Sequence, residues 1–320
     1  MRGVAIRAGI AAAVVIAAFA ITVGVLNSTL FSATGFVREY LDALARADAA
    51  DALAIAGEPP ATSRRTDLLV DAAIVPVTVT DVVAHEPVDG VTPVDVIFDA
   101  GAGPRIATFR VESTGARFGL FGTWAFVDSP LATVDITVLH TPEFTANGLD
   151  LVAPAQDEAV RYLAFAPGVL VVSHDSSLLV ADPETVVIAS PTDTITAELD
   201  VRANDSFIAQ VQREVDGYLA DCATQQVLMP SGCPFGQPMA DRIVSPPVWS
   251  IVATPGVTLE PTATAGEWRV PVAPGVAHLV VDVKSIYDGD VSVFDENVPF
   301  MVGFTVTFVG ENSVVLTPRS

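Results

Sequence analysis

The run AGIAAAVVIAAFAITVGVL at residues 8–26 constrains this chain more than any other feature, because an uncharged stretch of 19 residues has few places to go. Thr22 is its only polar side chain. At 1.5 Å rise per residue, a helix of this length crosses a hydrocarbon core of about 30 Å. Arg2 and Arg7 precede the run and no acidic residue occurs before Glu39. The positive-inside rule then keeps the short N-terminus in the cytoplasm and carries everything after about Asn27 outside. A cleaved signal peptide is the competing reading, since it too has a charged start and an apolar run. Cleavage wants small residues at two nearby positions, but bulky Phe31 stands before Ala33 and Leu26 before Ser28. No cysteine follows the run, so lipid anchoring has no support. The expectation is a single-pass anchor at 1–30, contact with the cytoplasmic membrane through residues 8–26, and an extracytoplasmic body, or a secreted body if the signal is cleaved.

The body has the composition of a folded protein. Of the 320 residues, 51% are hydrophobic and only 17% charged, so substantial cores can be buried. With 38 acidic against 16 basic residues the net charge is −22, which argues against nucleic acid or anionic lipid headgroups as partners. Phe36, Val37, Tyr40, Leu41 and Leu44 recur at helical spacing, while Arg38, Glu39, Asp42 and Arg46 fall on the other face. Asp48 predicts the N-cap of a second short helix and Gly57 its stop. After the loop EPPATSRR the period changes to two, with Val77, Val79 and Val83, then Val94, Val96 and Phe98, alternating with polar residues. Further strands are predicted near 104–112 and 118–127. Helices followed by a meander of strands give an α+β fold class.

From residue 131 the helical signal disappears. Asn147-Gly148 between alternating segments predicts a tight hairpin, because both residues tolerate positive φ. Residues 131–202 read as a small β-sandwich-like module. Helical spacing returns at 204–223, where Phe207, Val211, Val215, Tyr218, Leu219 and Cys222 share a face behind the capping residues Asn204, Asp205 and Ser206. A longer β region follows, including WSIVATP, GEWRVPV, VAHLVVDVK and FMVGFTVTFVG. The expected layout is an anchor at 1–30, a helix-plus-sheet domain at 31–130, the β module at 131–202, and a second helix-plus-sheet domain at 203–320. The order of helix, loop and strands in the last section repeats that of the first, as an approximate duplication would.

Tyr40, Leu41, Ala43, Leu44, Asp48 and Ala52, within FVREYLDALARADAADALAIAG, carry a family resemblance. This segment is similar to the entry helices of nuclear-transport-factor-2-like domains, which are cone-shaped α+β domains found in actinobacterial membrane-anchored extracytoplasmic proteins. The resemblance implies a helix pair packed across a curved sheet. That fold hosts enzymes and non-catalytic members alike. Its enzymes usually carry an Asp/His pair inside the cone, and no such pair can be assigned to these residues. Residues 131–202 resemble, in turn pattern alone, immunoglobulin-like or carboxypeptidase-regulatory-like modules of bacterial envelope proteins.

Residues that carry chemistry have plainer readings beside them. His85, His140, His174 and His278 lie in or beside predicted strands, outside any HExxH or paired-His pattern, and read as sheet-face histidines. His174-Asp175-Ser176 contains the residue types of a hydrolytic triad, but no GxSxG elbow accompanies it. Asp288, Asp290, Asp295 and Glu296 do not follow a calcium-loop spacing and read as a solvated acidic hairpin. The glycines at 101–103 and 119–122 lack the strand-to-helix context of a phosphate loop. Trp124, Trp249 and Trp268 sit in strand-like segments and read as packing.

The two cysteines, Cys222 and Cys233, bracket CATQQVLMPSGC. Zinc wants four ligands, and no second Cys or His pair stands nearby. A thioredoxin-like pair wants two intervening residues rather than ten. Two thiols exported together into an oxidising space are expected to form a disulfide, with free thiols as the alternative. No catalytic residue, cofactor or metal site is assigned. The functional expectation is a non-catalytic cell-envelope accessory or protein-interaction component, with other envelope proteins as partners. The alternatives are a cone-shaped domain that binds a small ligand or, less expected, acts as an enzyme, and a structural spacer.

Overall fold

The structure, a computed structural model, describes residues 2–57, 64–101, 103–310 and 313–319, with side chains described from residue 13 onward. The loop expected from residue 58 lies outside the described residues as far as residue 63, and so do the side chains at 8–12 of the apolar run. Helix α1 spans Arg2–Ser28, α2 Ala33–Ala45 and α3 Ala49–Ala56. Among the described residues no single helix is long and apolar enough to cross a membrane, whereas the bent pair Ala13–Ser28 and Ala33–Ala45, broken at 58°, passes on length and composition. The elbow is capped: Ser32 Oγ accepts from the Gly35 amide at 3.1 Å. Gly35 also lets the elbow close, because a Cβ there would strike the carbonyl oxygens of Thr29 and Leu30. Asp48 caps α3 by accepting from the Asp51 amide, and Gly57 ends the helix at φ 82°.

The body is α+β and rich in strands. It divides into two compact units: the first comprises Met1–Val138, Pro142–Ser173 and Pro183–Leu199, the second Leu139–Thr141, His174–Asp182 and Asp200–Ser320. Most of residues 131–202 belong to the first unit, and the segments 139–141, 174–182 and 200–202 to the second.

In the first unit β1 (Thr78–Ala84), β2 (Val91–Asp99), β3 (Pro104–Arg117) and β4 (Phe121–Phe126) form an antiparallel meander in sequence order. Val94, Val96 and Phe98 on β2 and Ala107, Phe109 and Val111 on β3 turn one face to the core and leave the other to solvent. Helix α2 lays Val37, Tyr40, Leu41 and Leu44 on that face. The Tyr40 ring stands edge-on to Phe109 and Phe126, and its hydroxyl donates to Ala166 O at 3.0 Å. On β1 the buried side chain is Val82, not Val79 or Val83 as their alternation suggests. A bulge between Val79 and Asp81 shifts the register, and with it the face each residue presents.

The remaining strands are β5 (Leu131–Leu139), β6 (Glu143–Ala146), β7 (Leu149–Val152), β8 (Ala159–Phe165), β9 (Gly168–Asp175), β10 (Leu179–Ile188), β11 (Thr194–Asp200) and β12 (Arg202–Ala203). One sheet has the order β11-β5-β8, and in the other β10, β9, β6 and β7 lie side by side. Phe144 on β6 meets Tyr162 on β8 edge-on at 6.1 Å, so the two sheets face each other. The hairpin at Asn147 (φ 50°) and Gly148 (φ 82°) joins β6 to β7, with Ala146 opposite Leu149. Strand β12 pairs with the first residues of β10 in the second unit.

The second unit opens with α4 (Asp205–Ala223), capped by Asn204, whose side chain accepts from the Phe207 amide. Phe207, Val211, Val215, Leu219 and Cys222 are buried, and Tyr218 is half-buried. Strands β13 (Arg242–Ile243), β14 (Val248–Ala253), β15 (Glu260–Pro261), β16 (Glu267–Lys284), β17 (Val291–Phe308) and β18 (Val314–Arg319) form its sheet. EWRVPV and VAHLVVDVK lie on a single strand, β16, 18 residues long. A register shift between Val270 and Ala273 turns the buried face from Trp268 and Val270 to Ala277, Leu279 and Val281. An unbroken alternation would have kept the same parity throughout.

Candidate functional site

Three places merit a functional reading: the cysteine loop, the histidine–aspartate pairs, and the junction of α1 with the sheet. Cys222, buried at the end of α4, and Cys233 are joined at disulfide-bonding distance, their Cα atoms 5.8 Å apart. The enclosed loop is hydrogen-bonded to itself. The Gln225 side-chain amide donates to Ser231 O at 3.2 Å and accepts from the Ser231 amide at 2.8 Å, as a neighbouring strand would. The Tyr218 hydroxyl donates to Gly232 O at 2.6 Å, and Trp249 Nε1 donates to Val227 O at 2.8 Å. Phe235, immediately after the loop, is buried against Trp249 (5.0 Å) and Phe300 (5.4 Å). The loop is therefore a braced element of the second unit, with its sulfurs committed to each other.

The histidines stand apart from one another. His85 Nε2 lies 2.7 Å from Asp95 Oδ2, and Thr108 Oγ1 donates to Asp95 Oδ1 at 2.7 Å. Burial raises the Asp95 pKa, but the hydrogen bonds from Thr108 and His85 outweigh it and hold the carboxyl below its ordinary range. This trio occupies the solvent face of the β1–β4 sheet, opposite the helix-packed core. His278 Nε2 pairs with Asp295 at 3.0 Å, and His140 Nε2 lies 3.5 Å from Asp200. His174 is buried with Nε2 3.3 Å from Ser176 Oγ, which also bonds the Leu179 amide and carbonyl in a turn. Ser176 is thus occupied in closing a turn rather than presented to a substrate.

Asp288 and Asp290 sit in the turn between β16 and β17, whereas Asp295 and Glu296 lie along β17. The Asp288 carboxyl is held below its ordinary range by the Ser285 side chain and the Asp290 amide. Among the described residues no three His, Cys, Asp or Glu side chains group as metal ligands would. In the first unit a narrow apolar cleft of about 30 Å³ runs between Leu41, Leu44, Ile74, Val77, Phe165 and Leu170. A pocket for an organic ligand usually needs about 300 Å³ or more. Asn147 lines one end of the cleft, donating to Ala73 O (2.7 Å) and Val169 O (2.9 Å) and accepting from the Val171 amide (2.7 Å).

The α1 junction was not anticipated from sequence. Asn27, in the last turn of α1, donates to Leu120 O at 2.6 Å and accepts from the Gly122 amide at 3.0 Å. Trp124 Nε1 donates to Phe31 O at 2.9 Å, and the Phe31 and Phe121 rings are 4.7 Å apart. All three tryptophans are packed into the fold: Trp124 here, Trp249 over the cysteine loop, and Trp268 edge-on to Phe207. The residues of this junction are ordinary types separated by more than 90 positions, and only the alternation of 118–127 hinted that a strand would lie there. The glycines at 119–122 belong to the β3–β4 hairpin, not to a phosphate loop. The chain matches no known family model, no curated protein and no solved structure.

Proposed function

We propose that the protein is a single-pass membrane protein whose α+β body stands outside the cytoplasmic membrane and works by binding other envelope proteins rather than by catalysis. The observation that carries this reading is α1 itself. Val14, Val15, Ile16, Phe19, Ile21 and Val25 are 55–68% exposed, a density of uncovered apolar side chains that water disfavours and a hydrocarbon core accepts. An uncleaved anchor is favoured over a cleaved signal because Asn27 and Phe31 belong to the folded body, where they hold the β3–β4 hairpin. The braced cysteine pair fits an oxidising space. Binding at a surface is supported by the exposed apolar residues Ile286, Tyr287, Val291 and Val293 at one end of the β16–β17 hairpin. The filled helix–sheet core around Tyr40, Phe109 and Phe126 weighs against a ligand-holding cone. On this reading the α2–α3 pair over the β1–β4 sheet plays the part of a nuclear-transport-factor-2-like domain, and a second helix-plus-sheet domain follows it.

Cell fractionation with a C-terminal tag tests the placement. The chain is expected in the carbonate-resistant membrane fraction, its body digested by protease added to spheroplasts and its N-terminus intact by sequencing. A soluble or protease-protected chain overturns the proposal. Crosslinking in intact cells tests the binding role, with envelope proteins expected among the conjugates and their absence counting against it.

A further inference from the structure

The β3–β4 hairpin reaches beyond the rest of its sheet. Strand β2 stops pairing with β3 at Val91–Glu112, and β3 continues to Arg117 beside β4 alone. At the apex Phe118 is 85% exposed, with Leu120 and, across the junction, Leu30 also uncovered. Phe118 sits at φ 56°, in the left-handed region that bulky side chains avoid and where Gly or Asn is usual. A strained position spent on displaying a phenyl ring to the exterior is an outlier that invites a functional reading. The electrostatics are equally local. The chain carries 38 acidic residues, yet residues 113–127 contain none and Arg117 is their only charge. The α1 side of the junction is likewise free of acids up to Glu39. The hydrogen bonds of Asn27 and Trp124 place this apex beside the last turn of α1, at the level where an inserted helix would leave the bilayer.

We propose that the β3–β4 apex, led by Phe118, dips into the interfacial layer of the bilayer that holds α1 and makes a second membrane contact. The inference rests on α1 being membrane-embedded. Phe and Leu side chains enter the headgroup–acyl boundary as the apolar face of interfacial segments does. Phe31 packs on Phe121 and accepts from Trp124 at the foot of the hairpin apex, and Arg117 lies 5.8 Å from the Phe118 ring, available to lipid phosphates. The contact is apolar first, as a chain of net charge −22 requires.

The test uses the full chain in phosphatidylcholine vesicles containing lipids spin-labelled either near the headgroup or deep in the acyl chain. Phe118→Trp supplies the probe, and fluorescence is taken as the difference from the unsubstituted protein. Ile106→Trp, exposed near the far end of β3 and roughly 40 Å away at strand rise, is the control. The shallow label is expected to quench the Phe118→Trp signal about twofold more than the deep label does, with the control unaffected. Protein that floats with the vesicles but shows equal, weak quenching at both sites overturns the second contact alone. Protein that does not float overturns the anchoring reading and this one with it. In detergent Phe118→Gly is expected to keep or raise the urea midpoint, since it relieves the backbone. A loss of stability would assign the ring to the fold and overturn the proposal.

Discussion

Asn147 shows how much a single side chain can hold. It occupies a left-handed backbone position, and its amide joins Ala73, Val169 and Val171. Asn147→Gly keeps the backbone relaxed but loses these hydrogen bonds, and is expected to lower stability by about 1–2 kcal/mol in urea unfolding. Asn147→Ala adds backbone strain and should cost about 1 kcal/mol more. A glycine variant as stable as the parent would show the bonds to be dispensable. Tyr40 makes a pH-dependent prediction. Burial pushes its phenol above the ordinary tyrosine range. The unfolded chain ionises this group near pH 10 while the folded one keeps its proton, so the stabilisation is whole below about pH 10 and shrinks as pH rises further. Tyr40→Phe should cost about 1 kcal/mol at neutral pH and flatten the loss of urea midpoint between about pH 8 and about pH 11. An unchanged alkaline slope would refute this. The Asn-Gly turn was legible in sequence because the dipeptide carries its own backbone preference. The partners of Asn147 were not, because Ala73 and Val169 reach it only through tertiary folding.

Among the elements, the cysteine loop was the most legible, since the expectation of export, the spacing and the lack of other ligands point the same way. Replacing both Cys222 and Cys233 with Ser should lower stability by about 2–3 kcal/mol through the freed loop. Thiol labelling of the denatured, unreduced parent should find no reactive sulfur, and two labels would refute the bond. The adjoining packing could not be read from sequence. Gly275 stands opposite Phe300 across β16 and β17, and a Cβ there would run into the ring. Phe300 in turn packs on Phe235, which follows the loop. Gly275→Ala is therefore expected to destabilise by about 1–3 kcal/mol as an overpacked core position does, read from thermal unfolding. A neutral outcome would mean the ring moves aside freely. Strand existence followed from alternation, but the continuity of β16 across EWRVPV and VAHLVVDVK did not, because its bulge changes parity midway, and β1 buries Val82 because its bulge does the same.

For the molecule as a whole, the α+β class was legible because helical and alternating periods occupy separate stretches of sequence. The grouping of strands into compact units was not, because it depends on pairings such as β11 with β5 that no local pattern announces. The elbow between α1 and α2 is the feature with the widest reach. A flexible linker between an inserted α1 and the body would let the body wander over a hemisphere and meet partners at any angle. Here the last turn of α1 is bonded into the sheet through Asn27, which ties the helix end directly to the first unit. On the proposed reading, with α1 inserted, this tie couples the heading of that unit to the tilt of the helix. Encounters with membrane neighbours would then be a search in two dimensions, with the body's height above the surface narrowed by that coupling.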